Sequence, residues 1–376
     1  MARKRSQAVL SLEQSLVGHT VPAAEALVDR LDGNRVRCHA CGHRCLVMDG
    51  LDGICRVRHN RGGTLHVPHG YVGALQVDPI EKKPFFHAFP GREALSFGML
   101  GCDLHCGYCQ NWLTSQALRD EASLSPPHDA TAEQLVALAK RRAAPVMVST
   151  YNEPLITSEW AVEVFARARE AGITCGFVSN GNGTRRVLDY LRPYVQLYKV
   201  DLKSFRDEGY RQLGGRLSPV LETIRELHAL GFWVEIVTLL VPGWNDSEEE
   251  LRGMAGFLAS VSPDIPWHVS AYHRDYKMRE HADTSAADLV RAAGWGKDAG
   301  LRYVYAGNLP GRVGPLESTP CPSCAAVVVE RSGYTILSQA LTDEGRCPAC
   351  RTAIPGFWSR TAVHPARAAV AREVAP

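Results

Sequence analysis

Three cysteines in one short segment have the spacing of an iron–sulfur site. Cys102, Cys106 and Cys109 are separated by three and then two residues. Three thiolates at this spacing can bind three irons of a 4Fe–4S cube, whereas a cluster that only stores electrons normally has four cysteine ligands. The fourth iron is then free to bind a substrate or cofactor, like the open position of a catalytic zinc. The segment therefore predicts a cluster that takes part in chemistry.

A structural zinc site is the alternative for these three cysteines. Such sites use four ligands, usually as pairs whose members are two residues apart. His105 is the one other ligand nearby, and it lies inside the spacing itself. The segment also follows an apolar, strand-like run at 94–100, which is not the flank of a zinc knuckle. We therefore favour the open cluster.

Two further groups of four cysteines flank this segment. The first group has gaps of two, three and nine residues, and the second consists of two Cys-Pro-x-Cys knuckles. The knuckles predict a zinc ribbon with a short hairpin between them. The first group suits either zinc or a closed auxiliary 4Fe–4S cluster, and we favour zinc. The groups are Cys38, Cys41, Cys45 and Cys55, and then Cys321, Cys324, Cys347 and Cys350.

Composition limits the classes of partner. The chain has 376 residues and a formal net charge of +2, so no strong attraction to nucleic acid or to a membrane surface is expected. No apolar run approaches the ~20 residues that span a bilayer. Because thiolate metal sites need reduced cysteines, we expect a cytoplasmic protein.

Short apolar runs alternate with helical segments from about residue 94. This alternation predicts an α/β fold in which a parallel sheet has helices outside it, as a barrel or partial barrel. A short helix is also expected around Ala23–Leu31. The apolar runs cover 94–100, 145–150, 173–179, 196–200, 233–241, 267–271 and 302–306, and the helical segments cover 131–142, 158–171, 184–191, 219–230, 247–260 and 285–299.

Polar residues follow every predicted strand. Barrel enzymes place their chemistry at the C-terminal ends of the strands, so we expect these residues to meet beside the three cysteines. In chain order they lie at 151–154, 179–183, 201–203, 241–246, 272–274 and 307–311.

With these motifs, the stretch 35–311 resembles the radical S-adenosylmethionine (SAM) proteins related to pyruvate formate-lyase activating enzymes. Within that group it is most similar to the branch called AmmeMemoRadiSam, which is associated with Memo-like and AMMECR-like partners. The resemblance implies a partial (β/α)6 TIM-like barrel that holds SAM on the open iron. It also implies reductive cleavage of SAM to methionine and a 5′-deoxyadenosyl radical. The motifs are Cys38–Cys55, Asp78–Pro84, Cys102–Trp112, Tyr272–Met278 and Tyr303–Asn308.

The resemblance also implies roles for residues near the last cysteine and after the second strand. Tyr108 matches an aromatic residue that packs against the adenine, with ordinary packing as the alternative. Asn152 and Glu153 match the Gly-Gly-Glu motif that receives the SAM amino group, and a carboxylate suits an ammonium group. This chain has Tyr151 and Asn152 in place of the two glycines, so the sequence does not fix the backbone path at this turn.

The later strand ends supply the other matches. Ser179 and Asn180 correspond to the Thr-Asn-Gly turn near the methionine end. Lys203 is expected to pair with the SAM carboxylate while Asp201 orients it, and an ordinary ion pair is the alternative. His273 matches a histidine that reaches the ribose.

The chain is thus expected to consist of five segments. The 4Fe–4S cluster, SAM and zinc are the implied cofactors, and a flavodoxin or ferredoxin is the implied electron donor. The substrate is expected to be a small molecule or a peptide or protein. A glycyl-radical activase and a non-catalytic scaffold or nucleic-acid binder are the alternatives. The segments are an arm at 1–34, a four-cysteine module at 35–75, the barrel at 76–314, the ribbon at 315–360 and a flexible tail at 361–376.

Overall fold

The computed structural model describes residues 7–123 and 125–358, with side chains from residue 12 onward. The tail expected at 361–376 lies outside these residues. None of the helices in this described part combines the length and the apolar character needed to cross a bilayer.

The N-terminal part consists of one helix and short antiparallel strands. β1, β6 and β5 form one sheet, and β2, β3 and β4 form another. The elements are α1 (Gln7–Leu16), β1 (Thr20–Pro22), β2 (Val28–Leu31), β3 (Arg35–Cys38), β4 (Leu46–Val47), β5 (His59–Arg61) and β6 (Thr64–Pro68).

The prediction of a helix around Ala23–Leu31 is wrong. Only Glu25–Leu27 form a 3-10 turn, and the next four residues are strand β2, which pairs with β3. The connection contains Gly33 and Asn34, both with positive φ (67° and 56°). Gly and Asn tolerate this conformation and favour hairpins. The turn at Gly33 and Asn34 therefore favours a hairpin here over the helix that the sequence pattern suggests.

Strands alternate with helical segments from Glu93 to Gly307, whereas the elements before and after that stretch are mainly strands. The strands are β7 (Tyr71–Val72), β8 (Ala74–Pro79), β9 (Glu93–Gly98), β10 (His128–Asp129), β11 (Val146–Ser149), β12 (Thr174–Ser179), β13 (Leu197–Asp201), β14 (Trp233–Leu240), β15 (Trp267–Ala271), β16 (Val304–Gly307), β17 (Thr319–Pro320), β18 (Val327–Ser332) and β19 (Thr335–Gln339). The helices are α2 (Trp112–Ser115), α3 (Ala132–Arg141), α4 (Ser158–Glu170), α5 (Arg185–Leu191), α6 (Asp207–Gln212), α7 (Leu217–Ala229), α8 (Glu248–Val261) and α9 (Ala286–Asp298).

The central sheet has the order β16-β15-β14-β13-β12-β11-β9-β8. β9 and β11 to β16 are parallel, and β8 is antiparallel to β9. Six helical crossovers therefore connect seven parallel strands. β8 and β16 are the two edges of the sheet and do not pair with each other, so the barrel is open. The predicted partial (β/α)6 barrel is confirmed.

Local sequence signals account for several of these elements. Thr131 accepts a hydrogen bond from the Gln134 amide, and the Gln134 side chain accepts one from the Thr131 amide, so the expected capping box begins α3. Every residue of β11 is buried, as a parallel strand covered on both faces requires. Cys175 in β12 is fully buried and packs as a small apolar residue.

The loop between β8 and β9 enters the barrel from below. Its residues Ile80, Phe85 and Phe89 pack with inward-facing residues of the strands, including Val146 and Leu197. This loop, residues 80–92, is called the floor loop, because it closes the barrel at the end opposite the cavity mouth.

A buried carboxylate fixes the loop in this position. Glu235 of β14 accepts hydrogen bonds from the amides of Phe86 and His87, at 2.9 and 3.0 Å. It also contacts the His268 ring at 2.8 Å. These partners satisfy a charge that would be costly to bury alone.

The C-terminal strands β17, β18 and β19 form the predicted ribbon hairpin, and it packs against the floor loop. Arg331 of β18 is buried and donates a hydrogen bond to the Phe86 carbonyl at 2.6 Å. Phe357 pairs with Ala88 as an isolated parallel bridge. The ribbon is therefore an integral part of the barrel floor.

Candidate active site at the mouth of the barrel

A cavity of about 380 Å³ lies at the C-terminal ends of the strands. Ten of the eleven residues expected at the cluster and SAM site line it, as barrel geometry requires. They are Cys102, Cys106, Cys109, Tyr108, Asn152, Glu153, Ser179, Asn180, Asp201 and Lys203. Lys82, Lys83 and Tyr334 line the same cavity from the floor loop and the ribbon.

The three cysteines lie on the loop that follows β9. Gly101 begins the loop with φ +94°, and an added Cβ would lie 2.8 Å from the Val57 side chain. The Leu104 amide donates to the Cys102 sulfur at 3.4 Å. Backbone geometry thus requires glycine before the first cysteine, and local hydrogen bonding orients its sulfur.

The sulfur atoms of this loop do not meet at the spacing of ligands on a single metal ion. Among the described residues, no three candidate ligand atoms of this loop lie within 4.8 Å of one another. Thiolates on a 4Fe–4S cube lie further apart than thiolates on one ion, because each binds a different iron. Burial raises the pKa of all three thiols, that of Cys106 to about 12. Coordination to a metal removes that difficulty, since a bound thiol is deprotonated.

Lys203 and Lys199 share a single carboxylate at the end of β13. Asp201 contacts both ammonium groups, that of Lys203 at 3.2 Å. Burial alone would raise the pKa of Asp201, but the two lysine charges outweigh it and hold the value at about 2. Likewise burial would lower the pKa of Lys203, but Asp201 and then Cys106 raise it well above its usual value. Two ammonium groups against one carboxylate leave this corner with a net positive charge.

Glu153 ties together the ends of β11 and β12. It is 2% exposed and accepts hydrogen bonds from the Ser179 hydroxyl and the Asn180 amide, both at 2.7 Å. The Leu155 amide donates to it at 3.1 Å. Burial, and then the charge of Asp103, raise the pKa of Glu153 to about 8. A cation in the cavity would therefore favour ionisation of Glu153.

The Tyr151–Asn152 pair keeps a glycine-like backbone. Tyr151 has φ +69°, a conformation that is strained for a bulky residue. Its hydroxyl accepts a hydrogen bond from Lys83 at 2.8 Å. The Asn152 side chain accepts one from the Met99 amide at 3.1 Å. Side-chain contacts thus hold the path that glycines adopt freely.

Tyr108 and His273 differ in position. Tyr108 is 4% exposed and meets the Trp244 ring edge to face, with centroids 5.5 Å apart. His273 is exposed and does not line the cavity. It contacts Gln110, a lining residue, at 3.1 Å, so the structure brings it to the rim only.

Two site residues were missed by sequence reasoning. Asp103 is fully buried and accepts hydrogen bonds from Asn180 and Asn182, both at 2.7 Å. Its signal is an acidic residue inside the cysteine spacing. Lys199 is buried in β13, and its signal is a charge in the middle of an otherwise apolar strand.

The other two cysteine groups do not line the cavity. The ribbon sulfur atoms are close together, with Cys321 and Cys350 at 3.5 Å and Cys324 and Cys347 at 3.7 Å. All four lie within 4.8 Å of one another, as a tetrahedral zinc site requires. The first group gathers between the N-terminal sheets and the barrel.

Comparison with known proteins relates this chain to a known superfamily. The model of the radical SAM superfamily matches residues 98–255. An uncharacterised protein of Methanocaldococcus jannaschii is 37% identical over 305 residues, which cover 81% of this chain and 90% of the relative.

More distant similarities include an enzyme of known function and a solved structure. The pyruvate formate-lyase-activating enzyme of Clostridium pasteurianum is 24% identical, over 51% of this chain and 84% of the relative. A crystal structure of Streptococcus suis SuiB bound to S-adenosylmethionine is 15% identical over 61% of this chain and 53% of that chain, with a TM-score of 0.46. The superfamily match and the similarity to the activating enzyme identify this chain as an enzyme of the radical SAM superfamily, related to the pyruvate formate-lyase activating enzymes.

Proposed function

We propose that this enzyme binds a 4Fe–4S cluster through Cys102, Cys106 and Cys109 and uses it to cleave SAM. The 5′-deoxyadenosyl radical then abstracts hydrogen from a small molecule or from a peptide or protein. The observation that carries the proposal is that one cavity is lined by three cysteines, one buried and two half-buried, by the Lys203 ammonium group and by the buried Glu153 carboxylate. When bound, the reduced cluster supplies one electron to the SAM sulfonium, and the C5′–S bond breaks.

The residues of the cavity suit the two charged ends of the methionine part of SAM. Lys203 is charged, since its pKa is raised, and it can pair with a carboxylate. Glu153 can accept the amino group, and the Ser179 and Asn180 donors hold it in place. Charge-assisted hydrogen bonds of this kind are about twice as strong as neutral ones.

The aromatic and rim residues suit the nucleoside. Tyr108 offers a ring beside the cysteines, and Trp244 keeps it from turning away. His273 reaches the ribose only from the rim, through the same edge that Gln110 occupies. We therefore assign the adenine to Tyr108 and give His273 a minor role.

The floor protects the reacting atoms from water. Phe86, Leu104 and Leu239 add apolar surface to the cavity lining, and the floor loop closes the barrel from below. Exclusion of water matters because a reactive intermediate must meet only its intended partner. Tyr334 comes from the ribbon, so the zinc we propose there stabilises part of the cavity wall.

The test is a cleavage assay on the reconstituted, reduced protein. We expect wild type to convert SAM to 5′-deoxyadenosine and methionine, and Cys106→Ala to form neither. A deuterated substrate that transfers deuterium to 5′-deoxyadenosine would identify the hydrogen removed. Wild type that forms neither product would contradict the proposal.

A glycyl-radical activase is the second candidate, supported by the relatedness to pyruvate formate-lyase-activating enzyme. We expect such an activity to produce a glycyl radical doublet in the electron paramagnetic resonance (EPR) spectrum of a partner enzyme. Mixing with pyruvate formate-lyase tests it, and loss of the signal in Cys106→Ala is the control. A persistent absence of the doublet in wild type would leave the first candidate alone.

We also propose the partners that the family resemblance implies. A flavodoxin or ferredoxin would supply the electron, and Memo-like or AMMECR-like proteins would act with this enzyme in the cytoplasm. Affinity measurements with purified candidates test each pair.

A further inference from the structure

The first cysteine group has a sulfur arrangement that differs from the ribbon. Zinc holds four thiolates about 3.8 Å apart, since each lies about 2.3 Å from the metal at a tetrahedral corner. The ribbon has this spacing, and in the described part of the chain it is the one group with three or more candidate ligand atoms within 4.8 Å of one another. The sulfur atoms of the first group are therefore more widely separated than zinc requires.

The four cysteines nonetheless surround one place. Cys41 interacts electrostatically with the thiols of Cys38, Cys45 and Cys55. A Cβ added to Gly53 would lie 3.8 Å from both the Cys45 and the Cys55 sulfur, so those two sulfur atoms are at most twice that distance apart. A group of thiolates that is wider than a zinc site but still surrounds one place suits a 4Fe–4S cube, in which each thiolate binds a different iron.

A buried nitrogen atom near the group, Arg58 Nε, has no hydrogen-bond partner among the described residues. Arg58 is 2% exposed, its two terminal nitrogens are paired with Glu159, and its charge interacts with Cys38 and Cys55. Buried donors are normally satisfied. A sulfide or thiolate sulfur atom of an anionic cluster would accept this hydrogen bond.

The group also adjoins the cysteines of the cavity. Arg119 donates hydrogen bonds to the carbonyls of Ile54 and Cys102, both at 2.6 Å. Gly101 packs so closely on the N-terminal module that an added Cβ would lie 3.3 Å from the Cys55 carbonyl. One side chain thus joins the residue next to Cys55 to the first cavity cysteine.

The geometry points to a second, closed 4Fe–4S cluster held by Cys38, Cys41, Cys45 and Cys55, which passes single electrons to the cavity cluster. Four thiolates leave no iron open, so this site binds no SAM. One electron leaves the second cluster and one enters the first, with no bond or proton changed, and the proposed protein donor supplies the replacement. The metal assignment stands by itself, whereas the relay rests on the proposed function.

Metal counting in a variant without the cavity cluster tests the assignment. The full chain with Cys102→Ala, Cys106→Ala and Cys109→Ala is purified and reconstituted without oxygen, with iron, sulfide and zinc all supplied. We expect about four irons and four sulfides with about one zinc, and Mössbauer lines of one cluster ligated only by thiolates. Two zincs and no iron would overturn the assignment.

A second variant gives the matched control. Adding Cys38→Ser and Cys41→Ser to the triple variant should remove the iron and leave the ribbon zinc in place. If iron stays at about four per chain, the cluster lies elsewhere and the assignment fails. If this protein does not fold, the triple variant alone decides. SAM cleavage is absent from both variants, so failure of the proposed function does not alter the result.

The relay has its own test in protein with the cavity cysteines intact. Cys41→Ser with Cys45→Ser should halve the iron content and slow reduction of the cavity cluster by a flavodoxin at least tenfold. The EPR signal of the reduced cavity cluster with SAM measures that rate. Unchanged reduction by flavodoxin would overturn the relay.

Discussion

The ribbon and the barrel mouth use the same residue type in two different ways. In the ribbon, Cys324 and Cys350 are exposed and the four sulfur atoms meet at tetrahedral spacing. At the mouth, Cys106 is buried, the sulfur atoms stand apart, and charged side chains face them across a cavity. A closed site beside solvent stabilises a hairpin, whereas an incomplete one beside a cavity is equipped for chemistry. Sulfur spacing and neighbours distinguish sites that cysteine counts alone do not.

The largest effect is expected at the mouth. Cys106→Ala removes one of three cluster ligands, so formation of 5′-deoxyadenosine should fall by at least about 1,000-fold, or ~4 kcal/mol in the barrier. Zinc content should not change, because the ribbon keeps its four thiolates. Product analysis together with metal analysis checks both halves. Loss of zinc in this variant would break the distinction between the two regions.

A substitution in the ribbon is expected to have the opposite effect on metal content, with zinc lost and iron retained. Cys347→Ser removes a buried cysteine of the proposed zinc site, and structural zinc contributes about 10 kcal/mol of binding free energy in small zinc modules. We expect one zinc to be lost and the hairpin to unfold, with a lower melting temperature and with iron retained. Zinc analysis and thermal melting measure this. Cys324→Ser, at an exposed ligand of the same site, should act in the same direction.

Lys203 should contribute strongly to SAM affinity. Lys203→Gln removes the charge near the cysteines, and an ion-paired hydrogen bond contributes about 1.5–3 kcal/mol, or about tenfold to 100-fold in Kd. Lys82→Gln is the matched control, because Lys82 lines the same cavity but its side chain is 50% exposed. Calorimetry with SAM compares them. Equal losses in the two variants would argue against a specific role for Lys203.

Glu153 should make both stability and binding depend on pH. Its pKa is raised from 4.5 to about 8, so between these values the folded protein keeps a proton that the unfolded chain releases. This group therefore lowers the free energy of unfolding as pH rises, by up to about 1.4 kcal/mol per pH unit. SAM binding should strengthen over the range up to about pH 8, as Glu153 becomes ionised.

Glu153→Gln separates these effects. The variant should unfold with less pH dependence than wild type between pH 5 and 8, while its SAM affinity is weaker and nearly constant with pH. Denaturant unfolding and SAM titration at matched pH values give the two curves. A variant whose unfolding keeps the wild-type slope would show that Glu153 is not the group responsible.

The smallest effect is expected at the rim. His273 is exposed and contacts Gln110, and a surface hydrogen bond contributes about 0.5 kcal/mol, or about twofold in Kd. His273→Ala should therefore change SAM affinity about twofold. A loss as large as that of Lys203→Gln would show that the rim closes over the nucleoside.

Sequence reasoning predicted the strand and helix order from the cysteine loop to β16, because buried parallel strands and amphipathic helices have distinct periods. It missed the hairpin at Gly33 and Asn34, where a turn decided the structure, and the floor loop, whose position depends on Glu235. Motif residues that line the cavity could be named from the sequence. Asp103 and Lys199 could not, because their positions depend on partners distant in sequence. The sequence did not decide between zinc and a 4Fe–4S cluster for Cys38, Cys41, Cys45 and Cys55, because the distances between their sulfur atoms depend on the fold.

The central claim is that SAM binds directly to an open iron at Cys102–Cys109. The most direct measurement is the EPR spectrum of the reduced protein as SAM is added, in wild type and in the variant lacking Cys102, Cys106 and Cys109. We predict that the wild-type cluster signal changes shape and saturates at one SAM per chain, and that the variant's spectrum does not respond. A wild-type spectrum unchanged by saturating SAM would contradict the claim.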